Sequence, residues 1–306
     1  MKNRRLQDWI NARLRAEPPR AKSLLVTIWG DAIVPHGSEA ALSSIIDLAA
    51  CFGASDRLVR TSIFRLTRDG WLTGVRDGRR SFYKLTADGR RKVEHAYRRI
   101  YSPPAASWDG NWMIAIIPPN TMLEKPRDNL RRELGWEGFG ILGPGLFARP
   151  GGDRDTVVDI VKSFRATDKV VVFNAKELPE GKSAGARDLV RECWNLNAMA
   201  NAYRIFLRQY APALKLLSET ADIDPEQAFT TRMLVLHAFR RVLLKDPQLP
   251  ASLLPQGWPG LAAYELTREI YRLARDASER YLANTVETQR GPFPAEDSSF
   301  KKRFAK

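Results

Sequence analysis

Two cysteines and three histidines are all that 306 residues offer for thiol or imidazole chemistry. Cys51 and Cys193 lie far apart in apolar helical patterns, which argues against a disulfide framework and for buried thiols in a reducing compartment. His36, His95 and His237 have no mutual i,i+4 spacing and no cysteine pair beside them, so the pattern supports no zinc site. No run of about 18 apolar residues exists, which removes a membrane span. The opening MKNRRLQDWINARLR lacks the apolar core of a signal peptide, and the expected location is the cytoplasm. Acid is also in short supply. Against 49 Lys and Arg stand 35 Asp and Glu, a formal net charge of +14. An excess of that size points to a polyanionic partner or an anionic membrane surface, and nothing else in the chain favours the membrane.

Catalytic motifs are missing as well. Gly181-Lys182-Ser183 ends like a phosphate-binding loop, but the first glycine of GxxxxGK[ST] would fall at Lys176. Gly138, Gly140, Gly143 and Gly145 do not give a GxGxxG that opens a helix. No Ser/His/Asp arrangement can be argued. The chain is expected to be no enzyme, with no catalytic residues, no resident cofactor and no metal.

What is present is a stretch from Leu42 to Leu85: ALSSIIDLAACFG, then ASDRLVRTSIFRLTRDG, then WLTGVRDGRRSFYKLT. It reads as helix, tight turn, helix and hairpin, the order of a winged helix-turn-helix. In the second helix Ser55 is a good N-cap and Asp56 suits the helix dipole. At 3.6 residues per turn Leu58, Val59, Ser62, Ile63 and Leu66 share one face. Arg57, Arg60, Thr61, Phe64, Arg65 and Arg68 share the other. Arginine is the side chain best shaped for guanine edges and phosphate. An amphipathic helix with a solvated charged face fits the same partition. The hairpin adds to the DNA reading. Asp77-Gly78 signals a tight primed turn, and Arg76, Arg79 and Arg80 flank it, arranged to lie along phosphates or enter a minor groove.

Three stretches here, SLLVTIWGD (Ser23–Asp31), RLVRTSIFRLTRDGWL (Arg57–Leu72) and YKLTADGRR (Tyr83–Arg91), resemble the PaaX family of bacterial transcriptional repressors. FRRVLLKDPQLP (Phe239–Pro250) and LLPQGWPG (Leu253–Gly260) resemble it too, so the likeness spans nearly the whole chain. It implies a repressor of phenylacetate-type catabolism, released from DNA by an aryl-CoA thioester such as phenylacetyl-CoA.

The expected fold is α+β and multidomain. Residues 1–101 form the winged helix-turn-helix with a basic leader or short helix, up to about Arg20, available to add phosphate contacts. A linker helix follows the wing; its basic face (Arg90, Arg91, Arg98, Arg99) serves DNA or solvent equally well. Ser102-Pro103-Pro104-Ala105-Ala106 is a linker. Residues 107–178 then read β-α-β-β-α-β, a ferredoxin-like order, and the resemblance implies a Cas2-like middle domain. A Cas2-type metal-dependent nuclease is therefore the alternative from another class, weakened because the first strand ends Ala115-Ile116-Ile117-Pro118 without a carboxylate and Asp109 sits at its other end. A nucleoid-type binder without an effector is a further alternative.

Residues 185–286 are expected to be an all-helical C-terminal domain, with one long helix from Ala186 to about Leu217 that Pro212 should kink or break. Residues 287–306 read as a disordered basic tail. For a CoA effector the chemically suitable residues are Arg187, Arg191, Trp194, Tyr203 and Trp258, although the three aromatics suit a core equally well. The resemblance implies an acid after Trp194, where this chain has Asn195. The expected partners are double-stranded DNA carrying an inverted repeat and a second copy of the chain in a homodimer.

Overall fold

Leu6 and Ile10, four residues apart and both buried, draw the N-terminal helix α1 (Arg4–Ala16) into the core. Asn3 caps it by accepting from the Leu6 amide at 3.2 Å. The structure, a computed structural model, describes residues 2–103, 107–176, 184–297 and 303–304. The chain divides into two compact units, one of Met1–Pro103, Ile205–Arg241 and Ala262–Lys306, the other of Pro104–Arg204 and Val242–Leu261.

In the first unit α1 is followed by α2 (Ala21–Ile28), which runs on through a π-type turn (Trp29–Ile33) to a 3-10 turn at Val34–His36. Then come β1 (Glu39–Ala41), α3 (Leu42–Ala50), α4 (Asp56–Arg68), β2 (Leu72–Asp77), β3 (Arg80–Leu85) and α5 (Ala87–Tyr101). The strands form an antiparallel sheet in the order β1-β3-β2. Gly53 and Gly70, both at positive φ, end the α3 and α4 segments, as glycine does where a helix stops in the left-handed region. Of the two forms open to the leader, the short helix is the one seen, as α1, and it is held to the unit. Lys2 pairs with Glu226 at 2.9 Å, and the Trp9 indole donates to the Gln209 carbonyl at 3.4 Å.

The second unit contains β4 (Asn111–Ile116), α6 (Glu124–Trp136), β5 (Gly140–Gly143), β6 (Leu146–Pro150), α7 (Arg154–Ser163) and β7 (Val171–Lys176). Its sheet runs β5-β6-β4-β7 with every neighbour antiparallel. Alternation along β4 explains why the strand is apolar throughout. Met113 and Ala115 join Leu130, Leu134, Phe147 and Val157 on the helix-covered face. Trp112 and Ile114 point the other way, where α8 (Ala184–Cys193) covers the sheet with Ala186 and Val190, and Trp194 just past its end joins them.

The remaining elements are α9 (Leu196–Ser218), α10 (Pro225–Leu243), α11 (Gly260–Thr285), β8 (Glu287–Thr288) and β9 (Gly291–Pro292). The helices of 185–286 do not all fall in one unit. Residues up to 204 group with the middle sheet, and 205–241 and 262–306 with the N-terminal elements. Nor is the break where proline suggests. Pro212 stays inside α9, while the chain turns at Trp194-Asn195. Asn195 explains that turn: its Oδ1 accepts from the Ala198 amide at 3.0 Å, so it caps α9 as a short polar side chain does.

The tail also departs from expectation, although 298–302 and 305–306 lie outside the described residues. The Asp297 amide donates to the Pro35 carbonyl at 2.8 Å, and the His36 ring stacks on Phe293 at 4.3 Å. Arg303 is buried, with Nη1 donating to Asp31 Oδ1 at 2.9 Å and Nη2 to the Gly30 carbonyl at 3.0 Å. Asp31 also pairs with the buried Arg232 at 2.6 Å and accepts from Tyr101 at 2.6 Å. A basic tail composition reads as solvated only while its counter-charge is unknown, and here that charge lies 272 residues away.

Cys51 and Cys193 are free thiols, each half-buried rather than fully so. Burial pushes both thiols above their usual range. The glycine-lysine-serine stretch at 181–183 and part of the 102–106 linker fall outside the described residues.

Candidate nucleic-acid interface

Helix α4 is built for two environments. Ser55 caps it, accepting from the Leu58 amide, and Asp56 follows in the first turn. Val59, Ser62, Ile63 and Leu66 are buried. Arg57, Arg60, Thr61, Phe64, Arg65 and Arg68 are exposed. One residue departs from the sequence pattern: Leu58 is 47% exposed rather than docked. It lies on the first turn, ahead of the first buried contact at Val59.

The outer face is not uniformly available. Arg60 bonds Asp56 through Nη2 at 3.1 Å and through Nε. Arg68 bonds Asp69 at 3.2 Å, and Lys22 of α2 reaches the same carboxylate at 2.5 Å. The Lys22 ammonium, seconded by Arg68, holds the Asp69 carboxyl below its usual range and ties the end of α4 to α2. Thr61 turns its hydroxyl back to the Arg57 carbonyl at 2.8 Å. Arg57 and Arg65 make no side-chain ion pair among the described residues, which leaves them as the readiest cations of the face.

The hairpin register pairs Asp77 with Arg80 and leaves Gly78-Arg79 as the two-residue loop. Gly78 takes φ +57° at the first central position, the place where a primed turn requires positive φ. Arg80 is engaged, its Nη2 lying 2.9 Å from Glu287. Sequence spacing held no sign of that partner. Arg76 and Arg79 are exposed, with no ion pair among the described residues.

The five residues suited to a CoA effector are distributed differently. Trp194 is buried, donates Nε1–H to the Gly138 carbonyl at 3.2 Å, and lies against Gly140, where a Cβ would come within 2.6 Å of its ring. Tyr203 is buried and donates to Asp246 at 2.6 Å, with Trp258 edge-on to it at 6.2 Å. Trp194 and Tyr203 are packed in the core, and Trp258 is half-buried. Arg187 and Arg191 are exposed, bonded to the Ser252 carbonyl at 3.2 Å and to Asp188 at 3.1 Å.

A cleft of about 660 Å³ opens elsewhere in the second unit, and none of those five residues lines it. Trp108, Trp112 and Phe173 give it aromatic walls, while Arg149 and Arg154 add positive charge. The available sign in the sequence was the Pro150-Gly151-Gly152 loop between β6 and α7, whose two glycines both take positive φ. Asp109, the acid nearest the first strand of this unit, is held by Asn111, whose amide donates to it at 3.0 Å. Among the described residues no three of His, Cys, Asp and Glu gather as metal ligands, and no helix is long and apolar enough to cross a membrane.

Comparison with known proteins agrees along the chain. Residues 20–89 match the family model of a PaaX-like protein, 105–188 that of the PaaX protein central Cas2-like domain, and 194–284 that of a PaaX-like protein C-terminal domain. The transcriptional repressor PaaX of Escherichia coli K12 is 35% identical over 305 residues, which cover 98% of this chain and 95% of that one. Among solved structures, the uncharacterized protein Rv0674 from Mycobacterium tuberculosis superposes with a TM-score of 0.53 at 26% identity, covering 84% of this chain and 98% of that one. The two arginine-bearing elements lie inside the first matched region, and the chain belongs to the PaaX family of transcriptional repressors.

Proposed function

We propose that this chain is a sequence-specific repressor of the winged helix-turn-helix type, with a ferredoxin-like middle domain, that reads its operator with α4 in a major groove. The Gly78-Arg79 tip then lies on the backbone or in a minor groove. The observation that carries this reading is the outer face of α4, where Arg57 and Arg65 stand exposed and, among the described residues, unpaired by acid on a helix whose inner face is buried. The protein works as a homodimer on an inverted repeat. It controls an aromatic-acid, phenylacetate-type operon and leaves DNA when an aryl-CoA thioester such as phenylacetyl-CoA binds.

A CoA thioester needs an aromatic slot for its acyl group and cations for its phosphates. The cleft around Trp108, Trp112, Phe173, Arg149 and Arg154 meets both needs. The set of Arg187, Arg191, Trp194, Tyr203 and Trp258 meets them less well, because its aromatics are already packed.

The test is an electrophoretic shift of the protein on its own promoter region, in excess random DNA at fixed salt, with and without phenylacetyl-CoA. A specific complex dissolved by the thioester is expected. A specific complex indifferent to phenylacetyl-CoA and to other aryl-CoAs would remove the effector. Absence of any preference over random DNA would remove the repressor reading.

The wing carries its own expectation. Arg79→Ala should reduce the slope of log affinity against log salt by about 0.9, the value for one phosphate contact, with base preference unchanged. A slope identical to the parent protein would take Arg79 off the contact surface.

A further inference from the structure

Phe64 is 67% exposed, although phenylalanine is among the side chains that gain most from burial. It lies at the middle of the outer face of α4, one turn beyond Arg60 and two beyond Arg57, beside Thr61 and Arg65. It is not among the buried residues of the core. The inner face of the helix is complete with Val59, Ile63 and Leu66, and no ring contact to Phe64 occurs among the described residues.

A large apolar side chain among arginines, on a face that meets DNA, has one apolar feature to meet in a major groove, the 5-methyl group of thymine. The arginines supply donors for guanine and phosphate but cannot recognise a methyl. We propose that Phe64 is the residue through which this protein reads thymine, covering a 5-methyl group in each bound major groove. The proposal rests on α4 being the reading helix. It adds that part of the specificity is apolar and is carried by a residue without charge.

Uracil tests this directly, since it pairs like thymine and lacks only the methyl. The promoter fragment is prepared twice, with thymidine or with deoxyuridine throughout, and both are titrated against the full chain and against Phe64→Ala, with random DNA as competitor. Because Phe64 is exposed, the variant leaves the core intact, and a circular dichroism melt identical to the parent's checks that.

Burial of one methyl is worth about 0.8 kcal/mol, so the parent protein should bind the uracil fragment about fourfold more weakly for each methyl covered. Phe64→Ala should bind both fragments alike, and Phe64→Leu should recover part of the difference. Equal affinity of the parent for both fragments, with the preference over random DNA retained, overturns the role of Phe64 and leaves α4 as the reading helix. A difference that persists in Phe64→Ala also overturns it, because another residue then reads the methyl. Loss of all preference over random DNA in the parent protein overturns the helix assignment together with the role of Phe64.

Discussion

Arg232→Met should cost the first unit about 3–5 kcal/mol, the loss expected when one partner is removed from a buried ion cluster. Arg232 is fully buried in α10, and its guanidinium serves two carboxylates at once, Asp31 at 2.6 Å and Glu279 at 2.6 Å. It also donates to Tyr271 at 3.1 Å and to Ser278 at 3.2 Å. Methionine fills similar space without charge, so the loss is not one of packing. It comes from leaving Asp31 and Glu279 in a dry site with less positive charge than they need. Arg303 and His36 remain beside them, at 2.9 and 3.0 Å, which keeps the penalty from being larger. For a body of this size the cost corresponds to a fall in melting temperature on the order of 10 °C. Arg232→Lys keeps the charge but cannot fork between two carboxylates, so it should fall between the two. A melt of Arg232→Met within about 2 °C of the parent would show that the cluster relaxes around the missing cation.

The same cluster marks the limit of what the sequence disclosed. Local periodicity was enough for α4, because an apolar face at 3.6-residue spacing needs no knowledge of its partner. Asp77-Gly78 was enough for the hairpin, whose turn chemistry is local, although the two-residue loop is Gly78-Arg79, one residue further on. The β-α-β-β-α-β order could likewise be read from short apolar runs broken by Pro and Gly. What covers the far face of β4 could not, since Trp112 and Ile114 lie against residues of α8 and of the 249–254 loop, long after them in the chain. Arg303 is the extreme case. A charged side chain near a chain end carries no local sign that it will be buried. Only the pairing of Asp31 with residues more than 200 positions away decides it.

The effector set was indistinct for a related reason. Trp194, Tyr203 and Trp258 have the composition of a ligand slot and of a core anchor alike. Gly140 under the Trp194 ring and Asp246 at the Tyr203 hydroxyl make the first two anchors. Arg80 shows the converse in the hairpin, where a residue suited to DNA already holds an intramolecular partner, Glu287.

Acid should destabilise the first unit in two steps, and the upper step belongs to His237. The imidazole is buried on α10, 3.1 Å from the Thr27 hydroxyl. Burial, seconded by Arg240 and Arg241, pushes its pKa down from 6.5 to about 4. Between those values the unfolded chain binds a proton that the folded one refuses. Stability is therefore full above pH 6.5 and falls as pH drops through that window to about 4. At about 1.4 kcal/mol per pH unit the loss is on the order of 3 kcal/mol.

Glu279 acts lower down. Burial raises its carboxyl pKa, but the His36 hydrogen bond and the Arg232 charge outweigh that and hold it at about 2 against 4.5 when unfolded. Its contribution is present above pH 4.5 and disappears as pH falls from there towards 2. Thermal melts of the parent protein and of His237→Gln across pH 7.5 to 3 separate the two groups, because glutamine keeps a hydrogen-bonding amide but cannot titrate. The parent should lose melting temperature steadily below pH 6.5, whereas His237→Gln should stay level until about pH 4.5 and then fall with it. A parallel decline in both proteins through the upper window would show that a group other than His237 sets the upper step.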